Sequence, residues 1–99
     1  MQSEEIVVEN RSGLHARPGK VFVQRAAQWT SAVRIENLTR GKGPVDAKSI
    51  LGLLTLGVSQ GHRVRISTDG PDEEKALSDL IGTIRDGLGE PAEPAPEAG

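Results

Sequence analysis

Three stretches of the chain place apolar residues at every second position, which is the period of a strand covered on one face. They are residues 4–10, 32–38 and 63–68. The second is followed by a turn-rich run, and a short further strand is predicted at residues 45–47. We expect that strand at the edge of the sheet, because Pro44 beside it cannot donate to a ladder.

Three other stretches repeat apolar residues at helical spacing. The first helix is predicted to begin near Ala16, with Pro18 in its first turn, where a missing N–H costs no intrahelical bond. The second is predicted over residues 50–56, with Ser49 as its N-cap. The third follows Pro71, which we expect at its first position, ahead of a run of acidic residues. Its apolar stripe is Leu77, Leu80, Ile81, Ile84 and Leu88.

The predicted order βαββαβα indicates an α+β fold in which helices cover one side of an antiparallel sheet and the other side meets water. With 99 residues, the chain fits one domain, over residues 1–89. Residues 90–99 are acidic and proline-rich without apolar periodicity, so this tail is predicted to be disordered.

Composition narrows the functional classes. A formal net charge of −2 gives no reason to expect nucleic acid or an anionic membrane as partner. Only Phe22 and Trp29 are aromatic, so platforms for stacking bases are nearly absent. The lack of cysteine excludes disulfides, zinc-thiolate sites and thiol catalysis. We expect a cytoplasmic protein with no metal, no cofactor, no signal peptide and no membrane span.

Residues 12–18 carry the candidate chemistry, because they place a histidine where a strand passes into a helix. The free N–H groups and positive dipole of a helix start favour a phosphoryl group. The neutral imidazole of His15 is a good nucleophile near neutral pH. The Arg17 guanidinium and the backbone amides of Ala16 and Arg17 could bind the phosphate. Spacing alone also allows an ordinary surface histidine beside a solvated arginine.

Several separated motifs resemble HPr, the histidine phosphocarrier family of the bacterial sugar phosphotransferase system. They are residues 13–18 (GLHARP), 47–57 (AKSILGLLTLG), 60–61 (QG) and 72–77 (DEEKAL). The resemblance runs from residue 4 to about residue 88, and the motifs fall in the expected order. It implies an open-faced sandwich with sheet order 1-4-2-3.

The resemblance further implies that His15 accepts a phosphoryl group on Nδ1 from enzyme I and passes it to the A domain of a sugar-specific enzyme II. Arg17 would be the side-chain partner of the phosphate. The chain would then be a monomeric participant in phosphoryl transfer rather than a free-standing enzyme.

Ser49 lies at the position where some HPr proteins are phosphorylated by HPr kinase/phosphorylase, a step linked to a transcriptional regulator. A second interpretation is that Ser49 is simply a helix cap. Near it, an apolar stripe is predicted to dock partners: Ile50, Leu51 and Leu54. On the first helix, three residues could give enzyme I a locally basic edge, although a solvated helix face is the default: Lys20, Gln24 and Arg25.

Some features depart from the family pattern or lie outside it. Gly19 stands where the family usually has alanine, which could loosen the first helical turn, and the hairpin over residues 38–44 is a few residues longer than usual. We interpret His62 as a solvated side chain. Two alternatives stay open: a regulatory HPr paralogue such as the nitrogen-branch carrier, or a ferredoxin-like module that binds a small ligand or RNA.

Overall fold

The computed structural model describes residues 1–89 and contains one four-stranded antiparallel sheet. Its strands are β1 (Gln2–Val7), β2 (Ala32–Asn37), β3 (Lys42–Asp46) and β4 (Arg63–Asp69). Their order in the sheet is β1-β4-β2-β3, which confirms the order implied by the resemblance. The tail predicted to be disordered, residues 90–99, lies outside the described residues.

Three helices cover one face of this sheet: α1 (Ala16–Ala27), α2 (Ile50–Thr55) and α3 (Glu73–Arg85). α3 packs on β1 and β4, and α1 packs against α2 and α3. On the other face, Arg65 lies between Glu5, at 3.0 Å, and Glu36, at 3.4 Å. The open-faced α+β sandwich is therefore confirmed, with ion pairs on the face turned to water.

The core forms because the inward-facing residues of the two central strands meet. Ile35 of β2 is directly opposite Ile66 of β4, and both are fully buried. Phe22 of α1 and Leu80 of α3 are buried in the same core and contribute its helical side. The alternation in the sequence thus identified the inner face of each central strand correctly.

The edge strand was predicted at residues 45–47, and this prediction was wrong in its bounds. β3 runs over Lys42–Asp46 and contains Pro44, although the predicted edge position is confirmed. Its pairing with β2 shifts register between Ile35 and Asn37, as at a β-bulge. A strand with only partial burial on one side has no clear alternation, which is why the sequence pattern missed it.

The helix termini follow their capping residues. Ser49 is the N-cap of α2, and its hydroxyl oxygen accepts from the Gly52 N–H at 3.1 Å, as predicted. Asp72, rather than Pro71, directly precedes α3, so the prediction of proline at the first helical position was wrong. Glu73 and Glu74 lie in the first turn of α3, in agreement with the expected acidic start. Within residues 1–89, no helix has the length and apolar character needed to cross a bilayer.

Candidate functional site

His15 lies at the N-cap of α1, in extended backbone conformation with φ −102° and ψ 161°. Its half-buried side chain makes no capping hydrogen bond to the helix, so the imidazole is not used to hold the helix start. Ala16 follows with φ 52°, a left-handed conformation that is uncommon for a residue with a side chain. The chain therefore turns sharply immediately after the histidine.

The loop before His15 is braced by its own hydrogen bonds. The Asn10 side-chain amide donates to the Gly13 carbonyl at 2.8 Å, and the Gly13 N–H donates to the Asn10 carbonyl at 3.1 Å. The His15 N–H donates to the Ser12 carbonyl at 3.1 Å. These bonds fix the backbone on both sides of Gly13 and lead directly into the histidine.

The same loop is fastened to the segment that follows α2. Leu14 is buried in the core, and its N–H donates to the Val58 carbonyl at 3.0 Å. Gly13 has φ 58°, and a Cβ there would lie 2.3 Å from the Val58 carbonyl oxygen. Only glycine fits both this backbone conformation and this close approach.

The surroundings of His15 suit an anion. Arg17 and Ala16 are exposed, and the N–H groups in the first turn of a helix have no preceding helical carbonyl to bond. The first turn of α1 contains no acidic residue that would offset the positive end of the helix. A phosphoryl group on His15 would therefore meet positive charge from the helix start.

α2, which packs against α1, presents an exposed apolar surface. Ile50, Leu51 and Leu54 are 39%, 76% and 41% exposed, and we name them the α2 apolar patch. Leu53 on the opposite side of the helix is 1% exposed, and its Cδ2 would lie 3.6 Å from a Cβ on Gly19 in the first turn of α1. α2 therefore packs on the first turn of α1 through Leu53 and leaves the α2 apolar patch exposed.

The three polar residues expected to dock enzyme I are not equivalent. Lys20 and Gln24 are exposed on α1. Arg25 instead forms an ion pair with Asp79 of α3, which also accepts from the Trp29 indole N–H at 3.0 Å. The hydrogen bond with Asp79 and its charge raise the pKa of Arg25. A docking partner would have to compete with this pairing to use Arg25.

Ser49 is half-buried at the start of α2, where its hydroxyl serves as the helix cap. The preceding residue Lys48 extends its ammonium group to the Trp29 carbonyl at 2.7 Å. This contact joins the start of α2 to the segment after α1. The geometry is compatible with both interpretations of Ser49, the structural cap and the modification site.

The interpretation of His62 as a solvated side chain was wrong. His62 is half-buried, and its Nδ1 accepts from the Ser59 N–H at 3.1 Å and contacts Asn37 Nδ2 at 3.2 Å. The available sequence signal was Asn37, a polar residue at an inward position of β2 that needs buried partners. Over the described part of the chain, no group of three or more histidine, aspartate or glutamate side chains could hold a metal ion.

Comparisons with known proteins identify a family for this chain. The family described as PTS HPr component phosphorylation site matches residues 2–86. The multiphosphoryl transfer protein of Haemophilus influenzae is 42% identical over 83 residues, which are 84% of this chain but 17% of that protein. The chain therefore spans about a sixth of the length of this relative.

Solved structures show the same fold. HPr-C-His from Thermoanaerobacter tengcongensis superposes with a TM-score of 0.85 and 42% identity, covering 92% of this chain and 99% of that one. The HPr dimer from the same organism gives a TM-score of 0.70 at 42% identity, covering 91% and 100%. Relatives that form a dimer weaken the expectation of a monomer.

Proposed function

The chain belongs to the HPr family of phosphotransferase-system phosphocarriers, and we propose that His15 carries the phosphoryl group between enzyme I and sugar-specific enzyme II A domains. The observation that carries this proposal is the position of His15 at the start of α1, with its imidazole free of any capping bond. The proposal places the protein in the cytoplasm with enzyme I.

The transfer step follows from the chemistry of the imidazole ring. The Nδ1 lone pair attacks the phosphorus atom, an N–P bond to His15 forms, and the bond to enzyme I breaks with its electron pair remaining on enzyme I. Phosphorylated imidazole stays reactive because the ring nitrogen is a good leaving group. In the second transfer, an enzyme II group attacks the same phosphorus and the N–P bond breaks.

The surrounding groups stabilise the charge that moves with the phosphoryl group. A charge-assisted hydrogen bond from Arg17 would contribute about 1.5–3 kcal/mol, whereas the end of α1 would add about 0.3–1 kcal/mol at this exposed site. Arg17 should therefore be the stronger contributor. The amides of Ala16 and Arg17 would supply fixed donors that need no rearrangement during transfer.

Docking would use the α2 apolar patch together with the exposed polar residues Lys20 and Gln24. An exposed apolar cluster with a polar margin is the usual composition of a small protein interface. The same patch would serve enzyme I and enzyme II A domains in turn, since both must reach His15. Arg25 belongs to this surface only where a partner displaces its bond to Asp79.

Phosphorylation of Ser49 would regulate this docking. A phosphate at the N-cap of α2 meets favourable partial charge and need not unfold the helix. It would place about two negative charges beside the α2 apolar patch and so repel or redirect partners. HPr kinase/phosphorylase and a transcriptional regulator are the partners this role would require.

Labelling with phosphoenolpyruvate and a compatible enzyme I tests the main proposal, because the chain has only two histidines, His15 and His62. The intact mass of the wild type should increase by one phosphoryl group that is lost in acid. His15→Ala should prevent the labelling, and His62→Asn should retain it. Equal labelling of wild type and His15→Ala would contradict the carrier role of His15.

A further inference from the structure

One peptide group connects His62 with the loop that carries His15. The carbonyl oxygen of Val58 accepts from the Leu14 N–H at 3.0 Å, and the N–H of Ser59 donates to His62 Nδ1 at 3.1 Å. These two groups belong to a single planar peptide unit, so they cannot rotate independently. The bond to His62 therefore fixes the direction in which the Val58 oxygen faces Leu14.

The orientation of the His62 ring is fixed in turn by Asn37. The Arg40 N–H donates to Asn37 Oδ1 at 3.1 Å, and Asn37 Nδ2 donates to the Leu56 carbonyl at 3.0 Å, which distinguishes the two ends of this buried amide. Asn37 Nδ2 consequently donates to His62 Nδ1 at 3.2 Å. With two donors facing Nδ1, the hydrogen of the neutral ring must be on Nε2.

We infer that His62 is a positioning residue for His15, acting through the Val58–Ser59 peptide group and the Leu14 N–H. The loop at Gly13 and the Val58–Ser59 peptide group are packed closely together, so neither can shift far without the other. A Cβ on Gly13 would lie 2.3 Å from the Val58 oxygen and 2.8 Å from the Ser59 Cα. Hydrogen bonds joined in series through a peptide also polarise one another. Without an acceptor at residue 62, the Val58–Ser59 peptide group would no longer be held in one orientation, and the loop that bonds to it through Leu14 would be less well fixed.

This inference rests on the proposed function only where it is measured as phosphoryl transfer, because the position of the loop is observable without phosphate. In wild-type protein, long-range ¹H–¹⁵N correlation spectra at pH 8 should show Nδ1 of His62 without hydrogen and Nε2 with it. The opposite tautomer would overturn the inference, and this measurement needs no variant.

Two variants separate the acceptor from the rest of the side chain. In asparagine, Oδ1 branches from Cγ as Nδ1 does in histidine, so His62→Asn keeps an acceptor that His62→Ala removes. The Leu14 amide should exchange about tenfold faster in His62→Ala and nearly as in wild type in His62→Asn. Unchanged exchange in His62→Ala, or equally rapid exchange in His62→Asn, would also overturn the inference.

Kinetics with enzyme I and phosphoenolpyruvate then show whether this support matters for transfer. At a temperature where all variants are folded, His62→Ala should lower kcat by about tenfold with little change in KM, because small misplacements of a reacting group are costly. His62→Asn should restore most of the rate. The stability control is Thr68→Val, which removes a buried hydrogen bond to the Glu73 carbonyl about 20 Å farther along β4.

These experiments distinguish the carrier function of His15 from the positioning role of His62. If the wild type is not labelled on His15, the proposed carrier function fails, while the tautomer and amide exchange still decide the positioning of the loop. If the wild type is labelled and His62→Ala has wild-type kcat, the positioning role is overturned and the carrier function stands. The positioning role is overturned as well if Thr68→Val lowers kcat as much as His62→Ala does.

Discussion

A Cβ atom on Gly19 would lie 2.4 Å from the carbonyl oxygen of Leu14, the residue before His15. Gly19 is buried in the first turn of α1, and its N–H reaches the His15 carbonyl at 3.4 Å. The family resemblance implies alanine at this position, and helix propensity alone favours alanine over glycine by about 1 kcal/mol. The close approach of Leu14 gives a physical reason for glycine in this chain and relates the first turn of α1 directly to the histidine loop.

Gly19→Ala should therefore destabilise the protein despite the gain in helix propensity. Relieving a contact of this length requires a backbone shift, and overpacking typically costs about 1–3 kcal/mol. Urea unfolding should give a lower free energy, with amide chemical shifts changing around His15. Gly82→Ala is the matched control, because a Cβ there meets no atom within 4 Å and should stabilise α3 by up to about 1 kcal/mol. Equal stabilisation by both substitutions would contradict this explanation.

Asp72 should make stability depend on acid pH. The Ser31 hydroxyl, the Thr30 N–H at 3.0 Å and the Ser31 N–H at 2.9 Å donate to its carboxylate and lower its pKa from 3.8 to about 2. A carboxyl group with a lowered folded-state pKa contributes stability above its unfolded pKa and loses it as pH falls toward the folded value. The contribution should therefore be complete above about pH 5 and disappear between pH 4 and pH 2.

Asp72→Asn tests this dependence. Its free energy of urea unfolding should be below that of the wild type at pH 7, and the difference should shrink steadily from pH 4 to pH 2. The Glu73 carboxylate, whose pKa is also lowered, chiefly by the Gly70 N–H, remains in both proteins and so cancels in the comparison. A difference that stays constant from pH 7 to pH 2 would show that the ionised carboxylate is not the cause.

The central strands and the capped helices could be predicted because their signals are local. The apolar alternation that includes Ile35 predicts β2, and Ser49 predicts the start of α2; each signal lies within a few residues of the element that it predicts. The edge strand β3 could not be delimited, since Pro44 and weak burial remove the alternation on which a strand assignment depends. The sheet order came from family resemblance, because periodicity does not say which strands are adjacent.

In the functional site, too, some residues have a local sequence signal and others depend on long-range contacts. His15 and Arg17 were predicted as site residues from a motif at a helix start together with the family resemblance, and the structure adds the left-handed Ala16 that no propensity rule predicts. The part played by His62 depends on Asn37, 25 residues earlier in the chain. The local sequence shows that Asn37, at an inward position of β2, needs a buried partner, but the identity of that partner depends on the pairing of β2 with β4.

Ser49→Ala should separate the structural role of Ser49 from a regulatory one. It removes the hydroxyl that accepts from the Gly52 N–H, and loss of an N-cap costs about 1 kcal/mol. Ser49→Asp should retain most of this stability, because aspartate is also a good N-cap. Urea unfolding measures the cap, and ATP-dependent labelling by HPr kinase/phosphorylase that is stable in acid measures the modification. Equal labelling of wild type and Ser49→Ala would place the phosphate at another residue.

The α2 apolar patch gives the sharpest contrast between docking and stability, because Leu51 and Leu53 lie on opposite sides of one short helix. Leu51 is 76% exposed and Leu53 is 1% exposed. Leu51→Ala should raise KM for enzyme I severalfold, with stability within about 0.5 kcal/mol of the wild type, since an exposed side chain adds little to the core. Leu53→Ala should instead cost about 2–5 kcal/mol through the cavity that it leaves, with little effect on KM at a temperature where the protein is folded.

The Leu51→Ala and Leu53→Ala variants are compared by urea unfolding and by initial rates at varied carrier concentration. If KM is unchanged in Leu51→Ala, enzyme I must approach His15 from a side that avoids α2, and the docking surface would have to be sought along α1 at Lys20 and Gln24 instead.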